Sequence, residues 1–164
     1  MPGDILLFVG SIALCQGAGL VGGWATSASL RDWYPTIRKP WFTPPNWLFP
    51  VAWTTFFLLM GIALYLIWRQ GTDTPGVAPA LAVFGIHLIL NMLWSIFFFT
   101  LRSPGWALVE LVFFWLSIAA SMVLFFPLSP TAAYLLAPYL VWVTFAGVLN
   151  YSIWNLNRPG AAPA

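Results

Sequence analysis

Five uninterrupted apolar stretches, each long enough to cross a bilayer, limit what this chain can fold into more than any other feature. They cover residues 5–28, 47–68, 77–101, 105–126 and 131–154, where a spanning helix takes roughly 20 apolar residues. Charge, proline or glycine marks each break: residues 31–46, 69–76, 102–104 and 127–130. Two of these connections are so short that the helices they join must be antiparallel neighbours. The composition agrees, with 61% hydrophobic and 6% charged residues against roughly 45–50% and about 25% in a soluble domain. The pattern predicts an all-α integral membrane protein: one domain over 1–164, a bundle of five transmembrane helices, with a Trp- and Pro-rich loop at 29–46.

The six Lys and Arg residues are scattered, which excludes the contiguous basic face that nucleic acid requires. A single cysteine, Cys15, cannot close an internal disulfide, and a single histidine, His87, cannot build a multi-histidine metal site. With neither a haem-attachment motif nor a glycine-rich phosphate loop, no metal and no resident cofactor are expected. Asp4 precedes the first apolar stretch while Arg31, Arg38 and Lys39 follow it, the reverse of a signal peptide's charge pattern. Five spans put loop one, the loop after span three and the C-terminal tail on one side, with Arg31, Arg38, Lys39, Arg102 and Arg158 against Arg69 opposite. Positive residues stay in the cytoplasm, so the N-terminus is expected outside and the C-terminus inside.

Four prolines in the first loop, Pro35, Pro40, Pro44 and Pro45, forbid a regular helix and bias the residues before them toward extended geometry. The rings around them, Trp33, Tyr34, Trp41 and Trp47, also suit an interfacial belt. A belt alone needs no such run of prolines. Trp33-Tyr34, Lys39-Pro40, Pro44-Pro45-x-Trp47 and Trp53 resemble the signature of the TspO/MBR family. So do Asn91-x-x-Trp94, Phe97-Phe98, Gly105-Trp106-Ala107-Leu108-Val109, Pro138-Tyr139-Leu140-x-Trp142, Phe145-Ala146 and Leu149-Asn150-Tyr151. The resemblance implies a five-helix membrane bundle, often dimeric, that binds porphyrins, sterols and synthetic aromatic ligands in a pocket beneath the first loop.

Depth along the helices points to a pocket without reference to any family. Counted from the loop-one side at 1.5 Å per residue, Trp53 lies ~9 Å deep, Trp94 ~10 Å, Trp142 ~18 Å and Asn150 ~6 Å. Rings so far below the headgroups are not interface anchors, and a shared cavity accounts for them, although packing alone could also place them there. His87, Asn91, Trp94 and Phe98 share one face of the third span. Interhelical hydrogen bonding remains the alternative for Asn91 and His87, and the resemblance raises only Asn91 and Trp94 as pocket residues. A haem-ligating role for His87 has weak support. The resemblance adds Trp142, Ala146, Leu149 and Asn150, with Pro138 expected to kink the last helix just before Trp142. Glu110, placed on one face with Trp106, Phe113 and Ser117, is expected to pair with a loop-one Arg or Lys.

From these residues follows a binding protein or sensor-transporter for a planar hydrophobic ligand, which the resemblance implies is a porphyrin. Trp53, Trp94 and Trp142 would cradle the ring, while Asn91 and Asn150 orient polar atoms. Arg31, Arg38 or Lys39 would meet carboxylates, and a loop carrying Arg31, Trp33, Tyr34, Arg38, Lys39 and Trp41 would close as a lid. For some bacterial members the resemblance also suggests light-dependent oxidation of bound porphyrin, which would make Trp53 and Trp142 the catalytic pair. A third class, a structural partner in a membrane assembly, predicts no saturable ligand. Leu149, Tyr151 and Arg158 approximate the family's sterol motif, with one intervening residue more than the pattern permits. Ala18/Gly22, Gly19/Gly23 and Ala78/Ala82 offer small faces for homodimerisation or for packing within one bundle. A bacterial inner membrane is the expected location.

Overall fold

The structure, a computed structural model, describes residues 2–160; the ends of the expected domain, Met1 and 161–164, lie outside them. The elements are α1 (Pro2–Ser27), the single turn α2 (Ser29–Asp32), α3 (Leu48–Trp68), α4 (Val77–Ser95) continued by a π-helical segment (Ile96–Thr100), α5 (Pro104–Phe125) and α6 (Pro130–Asn157). Five helices are long and apolar enough to span a membrane, and the described residues contain no strand.

Local chemistry sets the helix ends. Pro104 and Pro130 open α5 and α6, where a missing N–H costs nothing and φ is already helical. The Ser129 hydroxyl accepts from Ala132 N at 3.3 Å, as an N-cap residue does. Two details depart from the expected spans. Helix resumes after Ala28 as α2, so the first residues of the 29–46 loop are helical. The third span ends in a π turn, in which Leu101 N bonds Ile96 O at 2.8 Å. Beyond it Arg102 adopts φ 51, a left-handed position unusual for arginine, while Ser103 N bonds Phe97 O. α6 continues through Pro138, an exposed position, without a break.

α1 and α3 approach most closely where Gly61 faces Ile12: a Cβ on Gly61 would lie 2.7 Å from the Ile12 Cα. The Phe57 ring occupies the space a side chain at Gly19 would need, and Gly22 faces Ser95. These two glycines of the small-residue stripe therefore serve packing inside the bundle. Tyr139, Phe84, Phe114, Phe125, Met60 and Ile67 are the largest fully buried side chains. At one end of the bundle Asp4 bonds Tyr65 and Gln70 bonds Leu128 O. At the other, Asp32 pairs with Arg102, Arg38 with Asn157, and Asn150 with Pro104 O. Loop one, the 101–103 corner and the C-terminal end of α6 thus share a side, as five spans require.

Candidate ligand-binding site

Beneath loop one the aromatic residues of four elements converge. The Trp53 and Trp94 ring centroids lie 6.4 Å apart, Trp94 stacks on Phe98 at 5.4 Å, and Trp142 meets Phe49 and Phe56 at 6.1 and 5.7 Å. Trp53, Trp94, Trp142, Ala146, Leu149 and Asn150 all line one cavity here. The shared space inferred from depth is therefore present, but its volume is about 30 Å³, enough for roughly one water. Asn150 is held beside it, accepting from Trp94 Nε1 at 3.1 Å and donating to Pro104 O at 2.7 Å. The buried Trp142 Nε1 has no partner.

The larger space lies on the other side of the Trp53–Trp94 pair. A chamber of about 460 Å³ lies between α1, α3 and α4 under the loop, with Trp53, Trp94, Tyr34, Phe49 and Phe99 common to both cavities. That volume is typical of small-molecule sites. Asn91, the one expected ligand residue missing from the narrow cavity, lines this chamber with Gln16, Thr54, Ser95 and Thr26. Among the described residues no charged side chain does. Gly19, Gly22 and Gly23 form part of its α1 wall. Sequence reasoning weighed these glycines only as helix contacts; glycine inside an apolar helix, where it costs stability, was the available signal.

Asn91 is fixed by its partner. Its Nδ2 donates to the Tyr139 hydroxyl at 2.6 Å, and that hydroxyl lies 3.2 Å from His87 Nε2. The imidazole tautomer decides whether His87 Nε2 or the phenol donates between them, and His87 Nδ1 is buried with no partner. His87 stacks against Phe114 and lines neither cavity. It acts as interhelical polar packing, tying α4 to α6. Glu110 departs from expectation: it is buried and both carboxyl oxygens lack a hydrogen-bond partner. Its expected face is also corrected. Trp106 and Phe113 are 66% and 60% exposed, while Glu110 points inward with Ala107, Phe114 and Ser117. The basic residues near loop one are engaged elsewhere, Arg102 with Asp32 and Lys39 with backbone carbonyls, so the expected ion pair does not form.

The loop forms a pinned roof. Tyr34 is buried against Phe98 and Phe99, and burial pushes its phenol pKa up. Lys39 Nζ donates to Tyr34 O and Ile37 O and sits 4.6 Å above the Tyr34 ring; loss of water pulls its pKa down. Arg38 and Asn157 exchange two hydrogen bonds, at 2.9 and 2.8 Å. Of the six expected lid residues only Tyr34 lines a cavity; Trp33 packs on Phe98, Arg31 is exposed, and Trp41 is 96% exposed. Of the sterol-motif residues, Tyr151 and Arg158 meet at the Trp154 ring, while Leu149 turns to the narrow cavity. Tyr151 is exposed, and Arg158 stacks over Trp154 at 5.6 Å.

A five-span helical bundle with an aromatic-walled chamber under a braced loop defines a class: integral membrane proteins with an internal cavity among their helices. The TspO/MBR family pattern matches residues 11–155. The chain is 40% identical to "Tryptophan-rich protein TspO" of Chlorobaculum tepidum, over 96% of this chain and 99% of that one. It is 36% identical to "Protein CrtK" of Rhodobacter capsulatus, over 98% of each. To "Translocator protein" of Bos taurus it is 38% identical, over 92% of this chain and 89% of the relative. The chain belongs to the TspO/MBR family.

Proposed function

We propose that this protein is a membrane receptor or transporter for planar hydrophobic ligands, porphyrins first and sterols second, held beneath the first loop. The chamber of about 460 Å³ carries this reading: its rear wall is the Trp53–Trp94 pair, and its polar groups are neutral. A tetrapyrrole would lie against Trp53 and Trp94, since offset ring pairs add about 0.5–1.5 kcal/mol beyond burial. Asn91 would orient a polar edge. Trp142, Ala146, Leu149 and Asn150 would join the site when the Trp53–Trp94 partition shifts. Relatives named as sensory and translocator proteins are consistent with ligand binding as the central activity.

The test is tryptophan fluorescence during titration of the purified protein with protoporphyrin and, separately, with a sterol. Saturable quenching by protoporphyrin, weakened several-fold in Trp53→Phe, is expected. Quenching that never saturates would refute the reading and favour a purely structural role. A light-dependent oxidation of the bound porphyrin by dissolved dioxygen, which is reduced in turn, is a second reading, favoured by Trp53 standing in the chamber wall with its ring 6.2 Å from Tyr139. One dominant altered tetrapyrrole in the mass spectrum of the illuminated complex, suppressed in Trp53→Phe with Trp142→Phe at ligand saturation, would distinguish catalysis from binding. The charge distribution supports an outside N-terminus and a cytoplasmic C-terminus, and a bacterial inner membrane is proposed as the location. A homodimer is proposed on the family resemblance.

A further inference from the structure

We infer that the chamber exchanges its ligand sideways with the acyl-chain region of the bilayer, through the gap between α1 and α3, while the loop roof stays shut. The inference rests on the reading that the chamber is the ligand site. Two independent observations carry it, the shape of the α1–α3 junction and the bracing of the roof.

The junction is a fork. Its stem is closed where Gly61 meets Ile12 and where Asp4 bonds Tyr65 at 2.9 Å. The crotch is the hydrogen bond from Gln16 Nε2 to Thr54 O, 3.1 Å. Toward loop one, the chamber wall runs out onto exposed residues: Leu20, Gly23, Ser27 and Leu30 on one side, Pro50 and Thr54 on the other. From Gln16 to Ser27 the α1 edge of this mouth measures ~16 Å at 1.5 Å per residue, which reaches from the hydrocarbon toward the headgroups. Gly23 has no atom within 4 Å of the place its Cβ would take, so the mouth is open where a larger side chain would stand.

The roof offers no comparable opening. To lift it, the chain must break the Arg38–Asn157 pair of hydrogen bonds, the Asp32–Arg102 ion pair and the bond from Ser29 Oγ to Phe99 O, and must expose Tyr34. The sideways path breaks none of these. It also fits the ligand's chemistry: a flat apolar molecule concentrates in acyl chains, since water expels its surface, and meets no charged side chain in the chamber lining. The substrate class is therefore a ligand already dissolved in the membrane, with any ionised group kept at the headgroup edge of the mouth.

The experiment is stopped-flow tryptophan quenching by protoporphyrin with the full chain in lipid nanodiscs. Gly23→Leu and Ser27→Trp narrow the mouth at exposed positions, and Asn157→Ala loosens the roof. Each mouth variant is expected to slow association and dissociation together by tenfold or more, while Asn157→Ala leaves both rates within twofold. Association should also slow in proportion when lipid is added at fixed protoporphyrin, because the lipid-borne concentration falls. Faster exchange in Asn157→Ala, unchanged rates in both mouth variants, or a weakened Kd arising from faster dissociation in them, would each overturn the sideways route. Absence of saturable quenching in the unaltered protein is a separate result: it refutes the ligand site itself, and the route falls with it.

Discussion

Tyr139→Phe removes one oxygen from the middle of the bundle and should cost far more than an oxygen at the surface. The hydroxyl accepts from Asn91 at 2.6 Å and lies 3.2 Å from His87 Nε2, so it joins α6 to α4 through two residues one helical turn apart. The ring stays, along with its packing on Trp53, Phe56 and Phe114, which isolates the polar contribution. Interhelical hydrogen bonds in membrane proteins average about 0.6 kcal/mol, with a maximum of about 1.7, so two bonds contribute about 1 kcal/mol. Stranding a buried polar group can cost about 1–3 kcal/mol. The expected loss is therefore about 1–3 kcal/mol, measured as the shift in unfolding of the purified protein in micelles. A double-mutant cycle with Asn91→Leu sharpens the result, because coupled partners deviate from additivity by about 0.5–3 kcal/mol. Strict additivity, or a Tyr139→Phe protein as stable as the parent, would refute the tie between α4 and α6.

Trp53→Phe should weaken protoporphyrin binding more than Trp142→Phe, since Trp53 lines both cavities and Trp142 only the narrow one; equal losses in a fluorescence titration would place the ligand across the partition instead. Gly61→Ala should destabilise by about 1–3 kcal/mol, the usual cost of overpacking, because its Cβ would lie 2.7 Å from the Ile12 backbone; the measurement is again the unfolding midpoint. Burial raises the folded pKa of Tyr34 above its unfolded value of about 10, so its contribution is intact below that pH and declines as pH rises through the folded pKa. Tyr34→Phe should reduce the alkaline slope of stability by up to one proton, about 1.4 kcal/mol per pH unit. For topology, a membrane-impermeant thiol reagent on intact cells should label Asp73→Cys and leave Arg158→Cys unmodified; the opposite pattern would invert the orientation.

The helices were legible because length in apolar residues is a one-dimensional property, and the expected ends fall close to those observed for every span. The convergence of Trp53, Trp94, Trp142 and Asn150 followed from rise per residue, which also needs no partner helix. The wide chamber was not legible, since it depends on how α1 leans on α3: Gly19 and Gly22 fit against neighbours while Gly23 faces open space, and spacing alone does not separate them. Glu110 misled because an acid near basic residues normally pairs, yet Arg102 pairs with Asp32 and Lys39 with backbone carbonyls rather than reaching down to it. The bracing of loop one was not legible, because prolines predict irregular backbone and say nothing of the hydrogen bonds that Asn157 supplies from α6 and Lys39 supplies within the loop.

The π turn at Ile96–Thr100 amounts to one surplus residue in an otherwise α-helical span. At 3.6 residues per turn, one residue is about 100° of rotation, so everything after it is reoriented relative to Trp94. That surplus aims the Phe99 carbonyl at Ser29 and brings Arg102 to Asp32. A deletion of one residue here would leave a longer, more regular helix with every aromatic residue still present. It would nevertheless turn the corner away from α2, separating the roof from the wall it rests on. Residue count in this short segment, rather than residue identity, is what joins the two.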